Sequence, residues 1–145
     1  MWGGRPNQEL ENTHIWTYDF NSDTWESYTT ENGPTHRSTY HAMEYIPEQD
    51  RIIVYGGVML TSVMNGDFTT KLWEYDLNNN SWILIEADIS PPPLAKHVMV
   101  YDPKTALVCL FGGSKDVIYS DDHISFEFWS YDPINQNWSN LNLAE

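Results

Sequence analysis

A short apolar stretch closed by a glycine pair, then Trp, Tyr-Asp and a second Trp, occurs three times in the 145-residue chain. The first copy has Trp2, Gly3-Gly4, Trp16, Tyr18-Asp19 and Trp25. The second has Tyr55, Gly56-Gly57, Trp73, Tyr75-Asp76 and Trp82, and the third has Phe111, Gly112-Gly113, Trp129, Tyr131-Asp132 and Trp138. Corresponding tryptophans lie 56 or 57 positions apart, and six of the seven tryptophans occupy the two repeated sites, so composition alone does not produce the period. A repeat of this length means an array of like units, each burying its apolar surface against its neighbours.

The second copy shows the layout of a unit. Residues 37–45 read as a β-type strand a, residues 47–50 as a turn, and residues 51–55 as strand b, a β-branched run of the kind buried on both faces. Gly56-Gly57 closes strand b, since glycine tolerates positive φ and the close approach of another backbone. Strand c covers 71–75, with Trp73 and Tyr75 on one face; Asp76 opens a turn by accepting an amide hydrogen bond two residues on; strand d covers 81–85. In the third copy strand a falls at 97–101 and strand b at 106–111. No segment has the length and period of a helix, so each unit is a four-stranded antiparallel meander and the fold class is all-β.

Such a sheet is apolar on both faces, so copies must stack face to face. The first copy holds only the end of strand b with strands c and d, giving a partial unit at 1–28 and complete ones at 29–85 and 86–145. Further units are expected from missing sequence or another chain. The 21 acidic against 7 basic residues give a net charge of -14, which disfavours nucleic acid and anionic membranes as partners. With one cysteine, Cys109, no internal disulfide is available, as expected of a reducing compartment, and a cytoplasmic location is expected.

The apolar strand ending in Gly-Gly, followed by Leu-Trp-x-Tyr-Asp and Trp, resembles the kelch repeat, in which each repeat forms one blade of a β-propeller. Pro34, Arg37, Ser38 and His41 match the start of kelch strand a loosely, and Pro93, Lys96 and His97 do so in the third copy, where Leu94 or Ala95 replaces the expected arginine. The resemblance covers essentially the whole chain and implies a kelch-type propeller segment of four-stranded blades, an incomplete ring. It also implies a protein-binding role, of the adaptor or scaffold kind.

Antiparallel connectivity puts the short a-to-b and c-to-d turns at one end of each blade. The long b-to-c loops (5–13, 58–70, 114–125) and d-to-a loops (29–35, 86–93) gather at the other, where binding usually resides. The partner-contact candidates on or near this rim are His36, Arg37, Met64, Asn65, Lys115, Tyr119, Asp121, Asp122 and His123. Arg37 either meets an acidic partner segment, as the resemblance implies, or neutralises neighbouring carboxylates. The apolar loop Val58-Met59-Leu60 with Val63-Met64 is expected to pack on an adjacent blade rather than on a partner. Asp121, Asp122 and His123 are adjacent in one loop, a poor geometry for one ion, and read as a solvated acidic turn; no metal or cofactor is expected. His41 and His97 recur in register and are expected to be structural, hydrogen-bonded between blades.

No phosphate loop, nucleophile elbow or paired zinc motif is present. Some related propellers are copper-radical oxidases, but no tyrosine and histidine set of that kind can be matched, and Cys109 sits within a strand, so no enzyme is expected. Two other readings stay open: a small-molecule or carbohydrate site at the mouth of a ring, catalytic or not, and an architectural subunit docking through its blade faces.

Overall fold

A computed structural model describes residues 2–3, 14–30, 32–35, 38–60, 66–116 and 124–142. Thirteen strands are formed among them: β1 His14–Asp19, β2 Thr24–Thr29, β3 Ser38–Thr39, β4 Ala42–Ile46, β5 Arg51–Tyr55, β6 Val58–Leu60, β7 Gly66–Phe68, β8 Leu72–Asp76, β9 Ser81–Ile85, β10 Val98–Asp102, β11 Leu107–Phe111, β12 Phe128–Asp132 and β13 Asn137–Asn140. The second and third copies form four-stranded antiparallel sheets, β4-β5-β8-β9 and β10-β11-β12-β13, and the first copy contributes the pair β1-β2. The described sheets stack in chain order without closing a ring. Strands β4 and β10, which open the two complete sheets, lie beside each other.

Strand a differs from the sequence expectation: it is broken in two. Tyr40 takes a φ of 60° between β3 and β4, and Lys96 takes the same φ one residue before His97. These equivalent positions are bonded, Lys96 N–H donating to the Tyr40 carbonyl at 2.8 Å, while the Lys96 ammonium lies 5.0 Å from the centre of the Tyr40 ring. The b-to-c loop of the second copy also holds structure that the sequence reading did not foresee. β6 and β7 form a hairpin that pairs with β3 as a separate three-stranded sheet. Val58 is buried there, while Val63 and Met64 of the same apolar loop lie outside the described residues.

Side chains that alternate along each strand supply both faces of the middle sheet. Ile53, Tyr55, Leu72 and Ile85 face the third sheet and meet Leu110, Trp129, Tyr131 and Trp138 in the larger core cluster. Val54, Tyr75 and Trp82 face the other way and pack with Trp2 and Ile15 of the first copy. The aromatic residue before the first and second glycine pairs joins one copy to the next. Trp2 lies 5.1 Å from the His41 ring and 5.5 Å from that of Trp82; Tyr55 lies 5.7 Å from His97 and 5.1 Å from Trp138. The glycines permit this closeness: a Cβ on Gly57, at φ 87°, would stand 2.6 Å from the Thr39 carbonyl oxygen. In the first copy, by contrast, Trp16 and Trp25 are largely exposed, because no described residues cover that face.

The two histidines are structural in position, and the His97 ring is buried against Tyr55 of the preceding copy. Burial pushes its pKa down from 6.5 to about 4, with nearby His41 adding repulsion and the Tyr55 and Leu94 backbone groups opposing the shift.

A polar lock also joins the second and third sheets. The Glu74 carboxylate, fully buried, accepts hydrogen bonds from the Arg51 guanidinium at 2.8 Å and from the Tyr131 hydroxyl at 2.9 Å. Glu44 reaches across the same interface and accepts the Tyr101 amide at 2.9 Å. Burial, then the charge of Glu74, raises the Tyr131 pKa, so the phenol remains a donor at neutral pH.

Three outcomes follow for stability. Trp82→Ala removes a buried indole shared by two sheets and should cost about 3–5 kcal/mol, enough to unfold or aggregate the chain; melting within a few degrees of the parent would refute the core assignment. Arg51→Met leaves a buried carboxylate unpaired and should also cost about 3–5 kcal/mol, while adding Glu74→Met should restore most of that loss in denaturant titrations. For His97, both folded and unfolded chains are neutral above pH 6.5, and between 6.5 and about 4 only the unfolded chain takes up the proton. Stability should therefore fall by up to ~3 kcal/mol across that window as the pH drops, and His97→Gln should flatten the profile. Parallel parent and variant profiles would exclude His97 as the source.

Candidate functional site

The two ends of the stacked sheets differ in kind. At the short-turn end the c-to-d turns are near copies of one another. Asp19, Asp76 and Asp132 each accept the amide two residues on, from Asn21, Asn78 and Ile134 at 2.7–2.9 Å. Each of these turns then closes on a residue with positive φ: Asp23, Asn80 or Gln136. Hydrogen bonds from Asn79 and Asn135 hold the Asp76 and Asp132 carboxyls below the usual range. A surface built three times from the same local chemistry carries little that is particular to one partner.

At the other end the connections differ from copy to copy, yet backbone hydrogen bonds hold them. Gly57 N–H donates to the Leu94 carbonyl at 2.8 Å, tying the b-to-c loop of the second copy to the segment that enters the third. Ala95 and Ser114 exchange amide-to-carbonyl bonds at 3.0 and 2.8 Å, and Ser125 N–H donates to Gly113 at 2.8 Å. The Tyr55 hydroxyl donates to the Pro91 carbonyl at 2.6 Å, pinning the d-to-a connection. The result is a varied rim on a fixed base.

An open groove of about 480 Å³ lies on this rim in the third copy, lined by Lys115, Ile124, Ser125, Phe126, Glu127 and the C-terminal Leu141-Asn142. Glu127 organises it. Its carboxylate accepts the Trp129 indole N–H at 2.8 Å and the Asn142 amide at 2.9 Å, and stands 3.7 Å from the Lys115 ammonium. Burial opposes ionisation of Glu127, but those hydrogen bonds and the Lys115 charge outweigh it and hold the pKa down. Glu127 therefore presents a fixed negative charge at neutral pH. Phe126 projects beside it, 79% exposed.

In the second copy the equivalent positions of Lys115 and Glu127 carry Met59 and Lys71, which line a narrow crevice with Trp2, Ser38 and Trp73. One repeat position is thus basic where its counterpart is acidic. Identical scaffolds presenting different charges are what a recognition surface needs.

Of the rim residues expected from sequence, Lys115 stands in the groove. His36, Arg37, Met64, Asn65, Tyr119, Asp121, Asp122 and His123 lie outside the described residues, as does Gly4 among the repeat positions. Among the described residues no group of three or more His, Cys, Asp or Glu side chains could hold a metal ion. Sequence reasoning missed Glu127, Phe126 and Asn142. Glu127 was detectable, because it replaces a lysine at a repeat-equivalent site, whereas Asn142 enters the groove through bonds that have no sequence signature.

In its fold the chain is similar to a solved structure of YjhT, with a TM-score of 0.70 and 17% sequence identity over 91% of this chain and 46% of that one. It is 27% identical over 135 residues to Mei4-dependent protein 6 of Schizosaccharomyces pombe, covering 88% of this chain and 19% of that protein. It therefore spans less than half of the solved chain and about a fifth of the yeast protein. The whole chain, residues 1–145, matches the KLHDC2/KLHL20/DRC7 Kelch-repeats domain, and with its Gly-Gly, Tyr-Asp and tryptophan positions folded into stacked four-stranded blades it belongs to that kelch-repeat family.

Proposed function

We propose that the chain is a protein-interaction module that engages a partner protein through the rim of b-to-c and d-to-a loops. The observation that carries this reading is the contrast between the ends: the short-turn rim repeats one hydrogen-bonded turn, whereas the long-loop rim varies in charge and shape on a base fixed by backbone hydrogen bonds. Such a base limits the ordering penalty of binding, which otherwise offsets much of the contact energy. The groove beside Glu127, with exposed Phe126 and Ile124 next to a fixed carboxylate, combines an apolar anchor with a charge that sets orientation. Kelch propellers often bind proteins, which supports this assignment without identifying the partner. No catalytic role is proposed.

The test compares three versions of the immobilised chain against extract: the parent, a rim variant with Lys71→Glu and Lys115→Glu, and a control with Lys104→Glu in the short turn between β10 and β11. All three should melt alike, since exposed charges contribute about 0–1 kcal/mol each. The reading expects a protein retained by parent and control and reduced about tenfold or more on the rim variant. Equal retention by all three would refute it.

A further inference from the structure

The perimeter of the second sheet differs from that of its neighbours. Among the described residues β2, β9 and β13 each have a strand on one side only. The two positions after the second tryptophan of each copy are Glu26-Ser27 in β2 and Ser139-Asn140 in β13, but Ile83-Leu84 in β9. Both of these apolar residues are exposed, at 39% and 37%. A bare sheet edge is a template for a further strand, and charged or polar side chains are a common means of blunting it. β9 lacks that protection where its two counterparts have it.

The backbone of β9 is set for such pairing. Gly56 N–H donates to the Lys71 carbonyl at 3.2 Å, so Lys71 and, by alternation, Trp73 and Tyr75 turn their backbone groups towards β5. Leu72, Glu74 and Asp76 turn theirs towards β9, where they meet Ile85, Ile83 and Ser81. Trp82 and Leu84 are left to direct amide and carbonyl outwards. The register runs through all five residues of β9, and no proline interrupts it. Trp82 and Ile85 are buried in the two core clusters and hold the strand in place. The edge is extended and apolar before any partner arrives.

Charge selects the occupant. Residues 72–95 hold four carboxylates, Glu74, Asp76, Glu86 and Asp88, and no Lys, Arg or His. Arg51 pairs with Glu74 and Asp76, whereas Glu86 and Asp88, just beyond the end of β9, are exposed. A second copy of the chain, itself at a net charge of -14, would bring the same carboxylates against them. We infer that β9 is a docking edge for an extended segment of a partner protein, apolar within its strand and flanked by Lys or Arg, which adds a fifth strand to the second sheet. This surface lies on the outer perimeter and is independent of the loop rim.

The probe is a short peptide of alternating valine and threonine with a lysine pair at each end. It is added to the full chain at low ionic strength and followed by fluorescence anisotropy and by amide hydrogen exchange. At saturation, exchange at Leu84 should slow at least about tenfold, while Ile83, already bonded to β8, and the amides of β13 stay unchanged. Ile83→Glu with Leu84→Ser, which reproduces the pair found in β2, should weaken binding at least about tenfold, and glutamates in place of the peptide's lysines should do the same. N-methylation along the peptide backbone should abolish binding, because it removes the amides that pair with the edge. No protection of Leu84, protection shared equally by β9 and β13, equal affinity of the two charge forms, or binding that survives N-methylation would overturn the inference. So would a parent chain that self-associates at micromolar concentration and loses that association in the double variant, which would make a second copy the occupant. Should the double variant melt well below the parent, the Leu84 protection and the N-methyl comparison decide, since both use the parent chain.

Discussion

Everything in this molecule follows from a sheet that is apolar on both sides. A four-stranded meander with Ile53, Tyr55 and Leu72 on one face and Val54, Trp73 and Tyr75 on the other has no orientation that satisfies water. Its stability lies largely between sheets rather than within them. The residue before the first two glycine pairs makes that dependence specific: it inserts an aromatic ring between a histidine and a tryptophan of the next copy. The glycines are required because those backbones meet at distances that a side chain would forbid.

Within that common plan each junction has its own chemistry. Between the first and second copies the inserted ring is an indole, Trp2; between the second and third it is a phenol, Tyr55, whose hydroxyl also fastens the Pro91 carbonyl. Glu74 adds a buried charge to the second junction, where Thr17 holds the corresponding place in the first. Buried ion pairs contribute modestly to stability beside an apolar replacement, but their absence from one junction and presence in another distinguishes correct from incorrect neighbours. Repeats that look interchangeable in sequence are therefore not interchangeable in space.

How much of this was legible in the sequence depends on the range of the interaction. Strands β5 and β9 matched their expected limits, and the Asp-led turns formed as read, because both rest on residues close in the chain. The break at Tyr40 was hidden, since a tyrosine or lysine at positive φ is uncommon and its local pattern still resembles a strand. Pairing of β3 with the β6–β7 hairpin was hidden too, because very short strands carry almost no periodicity. His97 was placed correctly between copies, yet the burial that depresses its pKa depends on distant backbone that no local pattern records. Lys115 was legible as a rim residue, whereas the carboxylate that fixes it was not, since Glu127 acquires its role from Trp129 and Asn142 together.

The Asp-led turns also bear on the order in which the chain assembles. Tyr75 and Trp82 face each other across the β8–β9 hairpin with ring centres 5.0 Å apart, and the four turn residues between the strands are held by the Asp76 carboxylate. Closing so short a loop takes far less chain entropy than bringing β5 to β8 across residues 56–71. Hairpins form in microseconds, whereas pairings between strands distant in sequence are slower. The β4–β5 turn is as short, so each blade offers two local hairpins, and the β5–β8 seam between them closes the longest loop and carries the greatest exposure to mispairing.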